Sequence, residues 1–180
     1  SIASPNTIKN NFELIIGIIP GGLASNYLYS LTENSEVVFQ GPAGMFSLKE
    51  NNRPKIFLVT GTGIAPVRSM IISNNQFPIS KQIPNSKLQL FWGLKNYKDI
   101  YLFDELKQFN PKICLSREEN LDMIPENDRK YFELGHIDKC METILNSDYY
   151  LCGGRQIVES LKQFLLNKKI PAENIYFEKF

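Results

Sequence analysis

Two short glycine-rich stretches mark where this chain could do chemistry: Thr60-Gly61-Thr62-Gly63-Ile64-Ala65-Pro66 and Cys152-Gly153-Gly154. Each follows an apolar run directly and leads into a helical pattern. A Cβ in such a loop would hold the backbone away from a pyrophosphate, and the helix start behind it offers unpaired N–H groups and the positive end of a dipole. One loop of this kind is as readily a plain strand-to-helix turn. Two of them at matching strand ends point to a shared nucleotide. Cys152 adds a lone thiol to the second loop, and a small buried hydrophobe is its other reading.

The elements that must position these loops follow from the apolar pattern. Ile56–Thr60, Leu88–Trp92, Lys112–Ser116, Tyr149–Cys152 and Ile175–Phe177 are the strands expected, with helices at about 65–73, 99–109, 139–145 and 155–167 between them. Strands apolar on both faces and separated by helices predict an α/β domain, a doubly wound parallel five-stranded sheet covered on both sides with right-handed crossovers. Ligands bind such sheets at the carboxyl ends of the strands where the order reverses, and the first and fourth expected strands flank that crevice. Both glycine loops therefore open on one site.

Residues 1–50 have another texture. Phe12–Ile19 is expected as a strand stopped by Pro20-Gly21-Gly22, a short helix follows over Ser25–Leu31, and Val37–Gln40 is a second strand closed by Gly41-Pro42-Ala43-Gly44. Asn51-Asn52-Arg53-Pro54 has the composition of a linker, so the boundary is placed between 1–50 and 51–180.

Composition bounds the function. The 180 residues are 43% hydrophobic and 22% charged, which suits a globular core and excludes disordered and collagen-like classes. A formal net charge of +1 removes the electrostatic case for a nucleic-acid partner. The three cysteines, Cys114, Cys140 and Cys152, form no C-x-x-C pair, so no metal site is expected. Cys114 and Cys140 are read as structural, as are the sole histidine, His136, and the strand-end aromatics Phe91 and Trp92. No apolar run approaches the ~20 residues of a membrane span, and a cytoplasmic location is the expectation. The chain begins at Ser1 without methionine, and Ile2-Ala3-Ser4 has the character of the inside of an element.

The motifs together resemble the ferredoxin-NADP reductase family, including the reductase components of oxygenases. Gly61-Thr62-Gly63-Ile64-Ala65-Pro66, Cys152-Gly153-Gly154 and Glu178-Lys179-Phe180 match its nicotinamide half. Ser1-Ile2-Ala3-Ser4 resembles the end of its R-x-Y-S flavin motif, Gly22-Leu23-Ala24-Ser25-Asn26-Tyr27-Leu28 its flavin pyrophosphate loop, and Gly41-Pro42-Ala43-Gly44-Met45-Phe46 its G-P-x-G-x-F strand end. The matches run in the family's order from first residue to last.

The resemblance implies two cofactors, FAD and NADP, with NAD left open. It places Ser1, Cys152, Glu178 and Phe180 around the hydride path: a hydroxyl, a thiol and a carboxylate near the reacting rings, and a terminal aromatic stacked on the flavin. Ser116 and Arg117 stand where NADP-using members grip the 2′-phosphate, which suits a guanidinium fork. Glu118 and Glu119 beside them could repel that phosphate or pair with Arg117. Gly93 and Lys95 lie where relatives show G-x-R, and Lys95 keeps the charge without the bidentate geometry; a surface charge is its other reading.

The resemblance also implies that residues 1–50 are the second part of an antiparallel β-barrel for FAD, with Ser1 a cut inside the flavin motif. Weak FAD binding by this chain alone is then expected. With no cysteine cluster present, the electron acceptor is expected to be a separate protein: a ferredoxin, an oxygenase or a haem protein. The other reading is a nucleotide-binding module without flavin, acting as a regulatory or sensor subunit.

Overall fold

The computed structural model describes residues 1–75 and 83–180. Its centre is a parallel sheet of six strands: β1 (Lys55–Thr60), β2 (Leu88–Leu94), β3 (Lys112–Leu115), β4 (Phe132–Leu134), β5 (Asp148–Gly153) and β6 (Ile175–Lys179), in the order β4-β3-β2-β1-β5-β6. The chain winds outward from β1 to β4, then returns to place β5 on the other side of β1. The order therefore reverses between β1 and β5.

The hydrophobic pattern explains why the sheet is covered twice. In β1, Phe57 and Val59 enter one core and Ile56 and Leu58 the other, as the period of two requires. Helix α2 (Ile64–Asn75) covers the first face through Ile64, Val67 and Ile71, joined by Ile15, Phe46 and Leu48 of the preceding part. Helix α5 (Arg155–Asn167) covers the second with Val158, Leu161 and Leu165, apolar residues on one stripe of an otherwise polar helix.

The base of the sheet carries a buried ion pair. Lys55 Nζ lies 2.7 Å from Asp148 Oδ2, both side chains fully buried. Asn51 donates to the same carboxylate at 2.8 Å, and Arg53 donates to Asn174. Residues 51–54 are thus fastened to the sheet by polar contacts.

Several elements differ from expectation. The sheet has a sixth strand, β4, too short and too mixed to announce itself: it is three residues long and exists by pairing with β3, Ile113 to Phe132 and Leu115 to Leu134. The helix expected at 99–109 is reduced to α3 (Phe103–Leu106) and a 3-10 turn at Lys107–Phe109. Upstream, Asn96 and Asp99 cap a 3-10 turn reciprocally, and Leu102 takes a left-handed conformation that a continuous helix cannot include. The helix expected at 139–145 is only α4 (Ile137–Cys140), because the backbone turns extended at Met141 and the Tyr149 hydroxyl binds both the N–H and the C=O of Ile144.

In residues 1–50, helix α1 (Leu23–Ser30) forms close to its expected place. The strands expected at Phe12–Ile19 and Val37–Gln40 do not. Among the described residues the first makes a single antiparallel bridge, Leu14 to Ile2, and no ladder partner stands beside either. Phe12, Ile16, Ile18 and Val38 are exposed. The barrel is present only in part. Arg68 ties it to the α/β domain, donating to Glu105, to Glu13 and to the Ala3 carbonyl.

Candidate nucleotide-binding site

The carboxyl ends of the strands open on a cleft of about 920 Å³. Thr60, Gly61 and Thr62 line it from the end of β1, Gly93 and Lys95 from β2, and Ser116 and Arg117 from β3. Gly154 and Phe180 close the far side. The cleft spans the point where strand order reverses, the position at which doubly wound sheets take their ligands.

The helices behind the loops suit an anion. Neither the Gly61–Asn75 helical segment nor α5 has an acidic residue in its first turn, and Gly154 caps α5 with no side-chain hydrogen bond. A ligand can take only the opening amides not already used, and in α5 the Arg155 N–H is committed to the Phe180 carbonyl. The first turn of α1, at Gly22, Leu23, Ala24 and Ser25, likewise lacks a side-chain cap and an acidic residue, although Ser25 Oγ is already engaged by the Ile19 N–H at 2.9 Å. These four residues do not line the cleft; they sit in the barrel portion.

The glycines divide by purpose. A Cβ on Gly63 would overlap the Cys152 carbonyl, and one on Gly153, at φ +153°, would overlap Thr60 Oγ1. Both are therefore required for the two loops to interlock, rather than for approach to a phosphate. Gly61 and Gly154 have open space where a Cβ would stand, and Gly61 is in the left-handed region at φ +49°. Ile64, Ala65 and Pro66 are buried and root α2 in the core instead of forming the wall.

Beside the cleft, Cys152 pairs in register with Val59 of β1 and Glu178 of β6. The thiol is buried, 1% exposed, and lies beneath the wall. Burial first, and the nearby Glu178 charge second, push its pKa up to about 12, so it stays a neutral thiol. The Ser1 hydroxyl donates to Glu178 Oε1. Phe180 is held by its backbone, its N–H donating to Gly153 O at 3.2 Å and its carbonyl accepting from Arg155 N at 3.1 Å. Its ring remains exposed at the rim.

At the other end, the Ser116 N–H bonds Leu94 O at 3.0 Å and the Arg117 N–H bonds Lys95 O at 2.9 Å, which sets Lys95 and Arg117 on adjacent strand ends. The Ser116 hydroxyl also donates to Leu94 O, at 3.2 Å. Glu118 accepts from the Tyr97 N–H at 2.8 Å, so its carboxylate is already engaged. Among the described residues neither Lys95 nor Arg117 has an ion-pair partner.

Several wall residues escaped the sequence, Cys114, read as structural, among them. His136, read as structural, lines the cleft with Asp138 after β4, and only recognition of that short strand could have placed them there. Tyr101 lines it from the loop before α3, in the part of the expected helix that does not form.

Fold and cleft thus define a nucleotide-binding α/β protein carrying part of a second, barrel-type domain. Residues 57–163 match the oxidoreductase NAD-binding domain family and residues 1–48 the oxidoreductase FAD-binding domain family. The chain belongs to this oxidoreductase family, and its fold is that of a ferredoxin NADP+ reductase. It is 32% identical over 171 residues to the toluate 1,2-dioxygenase electron transfer component of Pseudomonas putida, covering 92% of this chain and 49% of that protein. To the anthranilate 1,2-dioxygenase electron transfer component of Acinetobacter baylyi it is 27% identical, covering 100% of this chain and 52% of the relative. The chain spans about half the length of these relatives. A ferredoxin NADP+ reductase from Neisseria gonorrhoeae, crystallised with FAD and NADP, superposes with a TM-score of 0.71 at 17% identity, covering 99% of this chain and 78% of that one. A cytochrome P450 reductase from Amycolatopsis gives 0.77 at 19% identity, covering 100% of this chain and 55% of its own. No helix among the described residues is long and apolar enough to cross a membrane.

Proposed function

We propose that this chain is the nicotinamide-binding part, with an adjoining portion of the flavin-binding part, of an enzyme that passes electrons from NAD(P)H through FAD to a separate acceptor protein in the cytoplasm. Residues 51–180 form the nucleotide domain and residues 1–50 the flavin side. The observation that carries this reading is the meeting of the Gly61-Thr62-Gly63 and Gly153-Gly154 loops at one cleft, with Cys152, Glu178 and Phe180 beside it.

When bound, the nicotinamide supplies a hydride and the flavin accepts it and releases electrons singly; the protein's part is placement and electrostatics. Thr62, Gly63 and Gly154 offer amides to the pyrophosphate. Ser116 and Arg117 hold the 2′-phosphate of NADP, with Lys95 adding positive charge. Glu118 is fixed in place by the Tyr97 amide but keeps its negative charge near Arg117. Gly22, Leu23, Ala24 and Ser25 present the uncapped start of α1 to the flavin pyrophosphate. Ser1 and Glu178 flank the reacting rings. Cys152 stays an uncharged, packed thiol beside the place that would take the nicotinamide, and Phe180 would offer an aromatic face to the flavin. Placement of this kind lowers a barrier because reacting atoms must come within about 3–3.5 Å.

The name of each dioxygenase relative, an electron transfer component, supports a separate acceptor. The exposed apolar residues of the incomplete barrel favour testing a second reading, a nucleotide-binding module without flavin. The deciding experiment uses the purified chain and a version extended upstream. Flavin absorbance together with ferricyanide reduction by NADPH or NADH is the expected result. Nucleotide binding with no flavin in either protein would favour the module instead.

A further inference from the structure

We propose that Trp92 and Tyr101 are positioning residues for dinucleotide binding: together they hold the Gly61 carbonyl so that the amides opening the Gly61–Asn75 helical segment stay turned into the cleft. The proposal rests on the nucleotide-binding reading of the cleft and adds to it the device that keeps the loop in its binding shape.

Two side chains from different elements converge on one oxygen. Trp92 Nε1, at the end of β2, donates to Gly61 O at 3.1 Å, and Tyr101 Oη, from the loop before α3, donates to it at 3.0 Å. The Ile64 N–H closes on the same carbonyl within the 3-10 turn. Gly61 needs such restraint. It has no Cβ, sits at φ +49° and has nothing packed where a Cβ would be, so its own residue contributes little resistance to rotation of the following peptide. Because the peptide unit is planar, fixing the Gly61 C=O also fixes the Thr62 N–H in the opposite direction. The restraint thus acts on a donor at the cleft.

The chemistry of the pair suits this task. Trp92 is fully buried, and the indole N–H would be a costly orphan without the Gly61 oxygen. Phenylalanine would fill much of either site without needing a partner, so the polar atoms are what the loop uses. The two rings meet edge to face, 4.9 Å between centroids at 86°, and brace one another. Tyr101 also lines the cleft. Its hydroxyl remains a donor at ordinary pH, since burial pushes its pKa up to about 12.

The experiment compares the full chain with Trp92→Phe, Tyr101→Phe and the double variant, by calorimetric titration of NADP+ and of 2′-AMP, which lacks the pyrophosphate. If NAD+ is the tighter ligand, NAD+ and adenosine replace them. Tyr149→Phe is the control, removing a hydroxyl of the same kind from the Ile144 carbonyl in the other core. Each clamp variant is expected to weaken the dinucleotide about 3- to 10-fold, the size of one lost hydrogen bond. The pyrophosphate-free half should bind as before, and Tyr149→Phe should leave both affinities unchanged. Unchanged dinucleotide affinity in the clamp variants, parallel loss of both ligands, or equal weakening by Tyr149→Phe would overturn the proposal while leaving the cleft reading intact. A wild-type chain that binds neither NADP+ nor NAD+ would remove both. Should Trp92→Phe fail to fold, Tyr101→Phe carries the comparison.

Discussion

The Ser1 hydroxyl donates to the Glu178 carboxylate, and Glu178 stands in register beside Cys152, so three residues from the two ends of the sequence and from β5 form one group. If this group lies on the hydride path, Cys152→Ala and Glu178→Gln should each lower the rate of flavin reduction by about tenfold or more while the KM for NAD(P)H stays nearly constant, the signature of an interaction made in the transition state. Stopped-flow flavin bleaching in the upstream-extended protein measures this. A rise in KM alone would assign the residues to binding.

Alkaline pH should weaken the fold. Burial pushes the Cys152 thiol and the Tyr101 hydroxyl up to about 12 in the folded chain, from ordinary values of 9.0 and 10.0. A raised folded pKa contributes stability that is fully present below the unfolded value and is lost as pH rises through the folded one. Tm should therefore fall between about pH 9 and about pH 12, and the fall should be shallower in Cys152→Ala. Thermal melts across that range give the slope, and an identical slope in the variant would contradict the assignment.

Cofactor choice should reside in Arg117. Arg117→Ala is expected to raise the KM for NADPH about 10- to 100-fold, the worth of a charge-assisted pair, and to leave NADH within about twofold. Glu118→Gln should strengthen the preference for NADPH, because the carboxylate held by the Tyr97 N–H keeps its charge beside Arg117. Steady-state kinetics with both nucleotides separates the outcomes.

The glycines should not respond alike. Alanine at Gly63 or Gly153 collides with backbone or a rooted side chain, and a loss of about 3 kcal/mol or more is expected. Gly154→Ala meets nothing and should melt like the parent, while its new methyl faces the cleft and weakens the dinucleotide. Denaturant titration and calorimetry together distinguish the two kinds.

Remote from the cleft, Asp148→Ala should cost about 3–5 kcal/mol, since it strands the fully buried Lys55 ammonium. Replacing both partners by apolar residues of similar volume should recover much of that loss, and nucleotide affinity should be unchanged in any variant that folds.

How much of this was legible in the residues depended on whether the signal was local. Ile56–Thr60 and Tyr149–Cys152 announced themselves because strands buried on both faces must be apolar throughout. The loops after them announced themselves by their glycines, of which Gly63 and Gly153 admit no Cβ. Helix α5 formed over the expected residues, Arg155–Asn167, since its apolar stripe repeats at helical spacing. The same logic misplaced the helices at 99–109 and 139–145, where Leu102 and the Tyr149 hydroxyl settled the backbone through contacts that periodicity does not encode.

What the sequence determined by itself was the class: a parallel sheet wound both ways, two glycine loops at its switch point, and the ordered motifs of one oxidoreductase family. Composition and period carry that information residue by residue. Only the tertiary structure decided the rest. It made β4 a strand by giving it β3 to pair with, brought His136 and Tyr101 to the cleft wall, and showed that Gly63 and Gly153 are small so that two loops can interlock. It also turned Trp92 from a core aromatic into a donor on Gly61, a relation across 31 residues that no local pattern contains. Such contacts depend on where the chain returns in space, and a hydrogen bond at 3 Å is decided there.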